Sequence, residues 1–249
     1  MPPDPLAPLV ALPGVADAVA RARDGVVAVH NHPVNRRGWP ASAAEAGLRA
    51  ARASAGLDGA RLDAGSAADG VVADPVLAGA VRVAEEAGRQ LAVWRTAPLQ
   101  ALARLHVVAA ADLVAPERQA DELGRPRSSA EVSARLTLLA DLVTGRTTVP
   151  APVLVAVVHG ELLALAPFPS ANGVVARAAA RLTAVTAGLD PKGLAVPEVG
   201  HLRRAAEYRA AAAGFAGGTH EGLTTWLLHC CAQWEAGARE GLAIAEARR

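Results

Sequence analysis

The sequence predicts an all-α fold, a helical bundle preceded by additional N-terminal helices. Three observations predict it. Apolar residues recur at helical spacing over residues 76–90, 130–143 and 221–247. Proline stands where helices begin, at Pro75, Pro98, Pro152 and Pro197, because the first turn has no use for that amide donor. There is no strand ladder, heptad seam or internal repeat, and the helical segments follow one another too closely for βαβ units. With 249 residues, 52% of them hydrophobic, the chain can bury a large core.

The elements follow in order. Residues 2–13 are proline-rich and read as a loose arm. A short helix spans 15–23, and the valine-rich run 25–30 fits a strand or a helical turn, which periodicity alone does not separate. Two prolines, a glycine and two arginines make 31–40 a loop. Ser42 with Glu45 has capping-box spacing; it opens a helix from Ala43 to about Leu57, and Gly59 stops it. Residues 63–74 are a Gly/Ala/Asp-rich connector. Helices at 76–90 and 98–111 precede a polar stretch, 116–129, with no clear element. Ser129 caps a helix at 130–143. A buried helix at 152–165 is closed by Pro167, and helices at 174–187, 197–213 and 221–247 complete the set. The expected division is an N-terminal helical region, 1–97, packed on a core, 98–249, as one compact domain.

Charge and cysteine use exclude several function classes. The net charge is +1, and no basic run accompanies it, so neither nucleic acid nor an anionic membrane is an expected partner. Lys192 is the lone lysine among 25 basic residues. The cysteines, Cys230 and Cys231, are adjacent and poorly placed for a structural disulfide. The apolar run 153–168 is interrupted by His159, Glu161 and Pro167, and is too short for a membrane span. The N-terminus lacks the pattern of a signal peptide. These features together point to a cytoplasmic protein.

The segment with chemical content is 166–177. Small residues in a Ser170-Ala171-Asn172-Gly173 turn let backbone N–H groups converge, and the helix that follows adds positive potential at its N-terminus. Arg177 lies one helical turn beyond Gly173 and can face the same anion. This segment resembles the active-site loop of the Fic (Fido) family, His-Pro-Phe-x-Asp/Glu-Gly-Asn-Gly-Arg-x-x-Arg, with Pro167, Phe168, Asn172, Gly173 and Arg177 at matching positions and the spacing intact. His159 and Leu162 resemble the helix before that loop. Tyr208-Arg209, Gly217-Gly218-Thr219-His220 and Leu223 to His229 resemble the closing helices. Leu105-His106 and the stretch Leu123 to Arg127 resemble what leads into the core. The resemblance covers roughly residues 98–241.

Ser54-Ala55-Gly56-Leu57-Asp58-Gly59 resembles the family's inhibitory helix pattern, Ser/Thr-x-x-x-Glu-Gly/Asn. The resemblance implies a pairing of Asp58 with Arg177 that blocks the productive seat of a nucleotide γ-phosphate. Ser54 and Asp58, on a helix at 43–59, are the expected inhibitory residues. The same residues also read as a plain helix stop.

The departures from the family pattern are chemical. Family members transfer AMP from ATP to a protein hydroxyl, with the loop His as general base. That position is Ala166, and general base catalysis is worth about 10²–10⁴-fold. The family acid that holds Mg²⁺ is Ser170, a poor ligand beside a carboxylate. Ala171 replaces a glycine and Val174 an arginine. The family's target-holding hairpin has no room between Arg127 and Ser129. No catalytic residue and no metal ligand is therefore assigned. Asn172, Gly173, Arg177 and Ser170 remain as expected ligand contacts, for ATP, another nucleotide or a phosphate group.

The other candidates read as structural. His159 is a core residue. His30-Asn31-His32 is a solvent loop, since no Cys/His/Asp cluster with ligand spacing accompanies it. His220-Glu221 caps the last helix, and His229, Cys230 and Cys231 pack beside Trp226 and Trp234. The leading expectation is a pseudoenzyme that binds a nucleotide or phosphate ligand, or a protein partner, in a regulatory role. Its alternatives are a transferase rewired through His159 or Ser170, and a purely structural partner-binding module.

Overall fold

Two helices and the loop between them organise the molecule. The computed structural model describes residues 4–62 and 74–248. In chain order the helices are α1 (Ala7–Val10), α2 (Val15–Asn31), α3 (Pro33–Arg37), α4 (Trp39–Leu57), α5 (Pro75–Thr96), α6 (Pro98–Ala110), α7 (Gln119–Glu122), α8 (Ala130–Asp141), α9 (Ala151–Leu165), α10 (Asn172–Thr186), α11 (Pro197–Arg203), α12 (Ala205–Ala216) and α13 (His220–Glu246). The described residues contain no strand.

α9 is apolar on nearly every face because it is enclosed on every face: α2, α8, α10, α12 and α13 all pack on it. α10 lies against α9 on one side and α4, α5 and α6 on the other. The loop joining α9 to α10 is therefore fixed at both ends by buried helices. One core cluster runs from Leu6 through Trp94, Leu162 and Leu182 to Trp234 and Ala238. A buried indole needs a partner for its N–H. Trp94 donates to Thr183 Oγ1 (3.2 Å) and Trp226 to the Ala156 carbonyl (2.8 Å).

Several elements differ from the sequence reading. Residues 4–13 are not a loose arm. Leu6 is buried in the core cluster, and the Asp4 carboxylate accepts from the Thr147 and Thr148 hydroxyls and the Thr148 N–H. The run 25–30 is the second half of α2, because Val26 and Val29 continue its buried stripe. Residues 31–40 hold α3 and the start of α4, with Pro33 and Pro40 in the two first turns. Ser42 is thus inside α4, buried, and caps nothing; Glu45 pairs with Arg49 instead. The polar stretch 116–129 contains a 3₁₀ turn and α7. The expected helix 197–213 is broken at Arg204 into α11 and α12. His30 is no solvent-loop residue: its Nε2 meets Asp190 Oδ1 at 2.7 Å. The cap of α13 is Thr219, which accepts from Gly222 N–H, and not His220. Of the 63–74 connector only Asp74 lies within the described residues, and its carboxylate caps α5 by accepting from Val76 and Leu77 N–H.

Candidate functional site

The chain leaves α9 through Ala166 in the left-handed region (φ 42°) and enters α10 through Ala171 in the same region (φ 54°). Between them Phe168 turns inward, buried, with its ring stacked on His106 at 4.2 Å. His106 is itself fixed by accepting the Gly124 N–H at Nδ1 (3.0 Å). Its burial drives its pKa down to about 4 against a partial pull from the Ser170 backbone, so the ring is neutral near pH 7. Arg127 donates its backbone N–H to the Pro167 carbonyl (2.7 Å) and its guanidinium to the Leu165 carbonyl (2.7 Å). Asn172 completes the turn. Its Oδ1 accepts the Phe168 N–H (2.9 Å) and its Nδ2 donates to the Phe168 carbonyl (2.8 Å). The polar atoms of Asn172 are thus spent on the loop.

The other side of the loop is electrostatic. Asp58 is the C-cap residue of α4, followed by Gly59 in the left-handed region (φ 89°). The Ala60 N–H bonds to the Ala55 carbonyl and the Gly59 N–H to the Gly56 carbonyl, the two bonds of a Schellman stop. The helix stop is therefore real, and it aims a carboxylate. Asp58 Oδ2 accepts the Val174 N–H in the first turn of α10 (3.0 Å), and Oδ1 accepts from Arg177 Nη2 (2.8 Å). A carboxylate at the C-terminal end of α4 is disfavoured by that helix dipole by about 0.3–1 kcal/mol. The α10 N-terminus and the guanidinium outweigh it, since bonds to charged groups contribute about 1.5–3 kcal/mol each. Gly173 permits the approach, because a side-chain carbon there would collide with the Asp58 carboxylate.

Arg177 is buried and fully engaged. Besides Asp58 it donates to Ser54 Oγ (2.7 Å), the Ser54 carbonyl (2.9 Å) and Tyr208 OH (3.2 Å). Burial works against its charge, but Tyr208 and Asp58 more than restore it, and its pKa stands above the ordinary arginine value. Tyr208 OH also lies 2.9 Å from His159 Nε2, and His201 Nδ1 lies 3.1 Å from His229 Nε2. Burial, followed by the Arg177 charge, pushes His159 well below its ordinary pKa. His159 is thus a neutral core residue behind Tyr208. Arg209 closes the arrangement by donating to the Leu57 carbonyl at the end of α4 (3.2 Å).

The structure brings Ser54, Asp58, Gly173 and Arg177 together as expected from the sequence. Ser170 differs: its Oγ is buried, with no hydrogen-bond partner among the described residues. The residues present do not fit a Mg²⁺ ion. Position 170 offers no carboxylate, and the carboxylate that reaches the loop, Asp58, is already committed to Val174 and Arg177. Among the described residues no group of three or more His, Cys, Asp or Glu could hold a metal. Tyr208, Arg209, His106 and Arg127 were not legible as parts of this site. They stood in recognisable stretches, but nothing in the sequence said which of their side chains would meet the loop.

The helical fold that carries this loop has counterparts among solved structures. A Fic family protein from Desulfovibrio desulfuricans G20 superposes with a TM-score of 0.71 at 20% identity, over 93% of this chain and 74% of that one. The chain has the Fic fold. Fic-1 (residues 134–508) from C. elegans matches over 95% of this chain and 73% of its own, with a TM-score of 0.65 at 18% identity. No family model matches the sequence, and no curated protein does. At such identity the likeness is one of fold. No helix among the described residues is long and apolar enough to cross a membrane.

Proposed function

We propose that this chain is a Fic-fold pseudoenzyme whose remaining activity is binding. A nucleotide or phosphate group competes with the Asp58 carboxylate for the N-terminus of α10, and that exchange serves a regulatory or interaction role, in a cytoplasmic setting, without AMP transfer. The observation that carries this reading is the Asp58 carboxylate seated on the Val174 N–H and Arg177. Two backbone-and-guanidinium donors around one anion make a seat that also suits a phosphate. In this reading α4 is an inhibitory helix, with Asp58 as its plug and Ser54 as the clamp on Arg177. Transfer is missing its parts: Ala166 cannot take a proton, Ser170 offers no carboxylate, and Val174 cannot clamp a second phosphate.

Two measurements test it. Incubated with radiolabelled ATP and Mg²⁺, the protein should label neither itself nor proteins of a lysate; incorporation of label overturns the pseudoenzyme reading. Asp58→Ala leaves the Ser54–Arg177 contacts in place and opens the seat. ATP or inorganic phosphate should then raise the melting temperature of the variant more than that of the parent. No response in either protein would make this a purely structural module.

A further inference from the structure

A cavity of about 360 Å³ lies beside Arg177, lined by α4, α5 and α10. It shares Val174 and Arg177 of α10 with the Asp58 seat but takes nothing from Asp58 or from residues 166–173, so it adjoins that seat without coinciding with it. Its size is within the range of small-molecule sites. At ~30 Å³ per water-sized group, it holds about a dozen heavy atoms. Its walls are largely aliphatic, from residues such as Ala51, Val83, Leu91 and Leu182, and Trp39 stands half-exposed among them.

Two observations point to an occupant. The first is Gly47 in α4 and Gly88 in α5, both lining the cavity, each with nothing within 4 Å of where a Cβ would be. Glycine inside a helix is destabilising relative to alanine. No close neighbour demands it at these positions, and the effect of both glycines is to keep the cavity open. The second is charge. Arg177 is matched by Asp58 and Arg181 by Glu198. Among the described residues Lys192 has no carboxylate within ion-pair distance; its Nζ donates to the Asn35 carbonyl, at 3.3 Å. The lining is therefore apolar with one unneutralised cation.

We infer that this cavity is a binding site for an amphipathic monoanion, an aliphatic carboxylate of medium chain length, with its tail between α4 and α5 and its headgroup at Lys192. Because Ser54 lines the cavity as well as holding Arg177, such a ligand braces the back of the helix that carries Asp58. The site itself does not depend on the phosphate reading above.

Decanoate, titrated below its micelle concentration into the full chain by calorimetry, should bind saturably at one site. Decanol should bind more weakly, and Lys192→Gln should reduce decanoate affinity about tenfold, the loss of one charge-assisted contact, leaving decanol unchanged. Gly47→Leu with Gly88→Leu should abolish binding of both while circular dichroism stays helical. If the pair perturbs folding, Gly88→Leu alone, at an exposed position of α5, carries the test. Asp58→Ala should still bind decanoate, so a failure here and a failure of the phosphate seat show up separately. Absence of saturable binding, unchanged affinity in Gly88→Leu, or a concentration-dependent dimer that seals the cavity would each overturn the assignment.

Discussion

The two halves of the α9–α10 loop have met different fates. Residues 166–171 carry no titratable side chain but keep a tight shape, held by bonds from Arg127 and Asn172 and by the His106–Phe168 stack. Residues 172–177 keep their donors, yet those donors are satisfied from within the molecule by Ser54, Asp58 and Tyr208. The first half is scaffold, sustained by packing. The second is a charged junction between α4, α10 and α12. The groups that shape the loop are therefore distinct from the groups that carry its charge.

Arg177→Met tests this contrast most strongly. It leaves Asp58, the Ser54 carbonyl and Tyr208 without their donor, and breaking such a buried pair from one side costs about 3–5 kcal/mol. Urea unfolding should show that loss; a change below ~1 kcal/mol would mean the second half is as passive as the first.

The pH profile comes next. His159 and His201 are held well below their ordinary value of 6.5, burial being the largest cause for both. The unfolded chain takes up protons near pH 6.5 and the folded chain does not, so stability is full above that pH and falls as the pH drops. The slope is about 1.4 kcal/mol per pH unit for each histidine. His106, on α6 and stacked on the loop's Phe168, stops contributing to the fall near pH 4, where it takes its own proton. Melting temperatures from pH 8 to pH 5 should decline accordingly, and a flat profile would contradict the burial of these rings.

The smallest effect belongs to the scaffold half. Ala166 and Ala171 are the non-glycine residues with positive φ among those described. Ala171→Gly and Ala166→Gly should each stabilise by roughly 0.5–1 kcal/mol, since the left-handed region penalises a Cβ. A net loss in denaturant titration would show that the alanine methyls contribute more by packing than they cost in strain.

Much of the helix set was legible because periodicity and punctuation act locally. The starts at Pro75, Pro98 and Ser129 and the stop at Gly59 are where those residues put them. Ser42 misled because Pro40 opens the helix earlier and the surrounding packing buries the hydroxyl. The break at Arg204 had no glycine or proline to announce it. At the loop, it was the resemblance to the Fic pattern that pointed to Arg177 and, through residues 54–59, to Asp58 as its partner. Whether aspartate was long enough to reach was a question of how closely α4 approaches Gly173, and no local pattern encodes that distance.

The sequence by itself determined the helical class and the absence of a titratable group at Ala166, because these depend on local patterning and on which atoms a side chain owns. Only the tertiary structure decided the shape of the loop, that Asp58 sits on the Val174 N–H and Arg177, that Asn172 is spent on the loop, and that Tyr208 and His159 stand behind Arg177. Those are relations among α4, α9, α10 and α12, separated by up to about 150 residues in the chain. They are set by the burial of a shared core, which brings distant charges within hydrogen-bond reach and makes their pairing necessary.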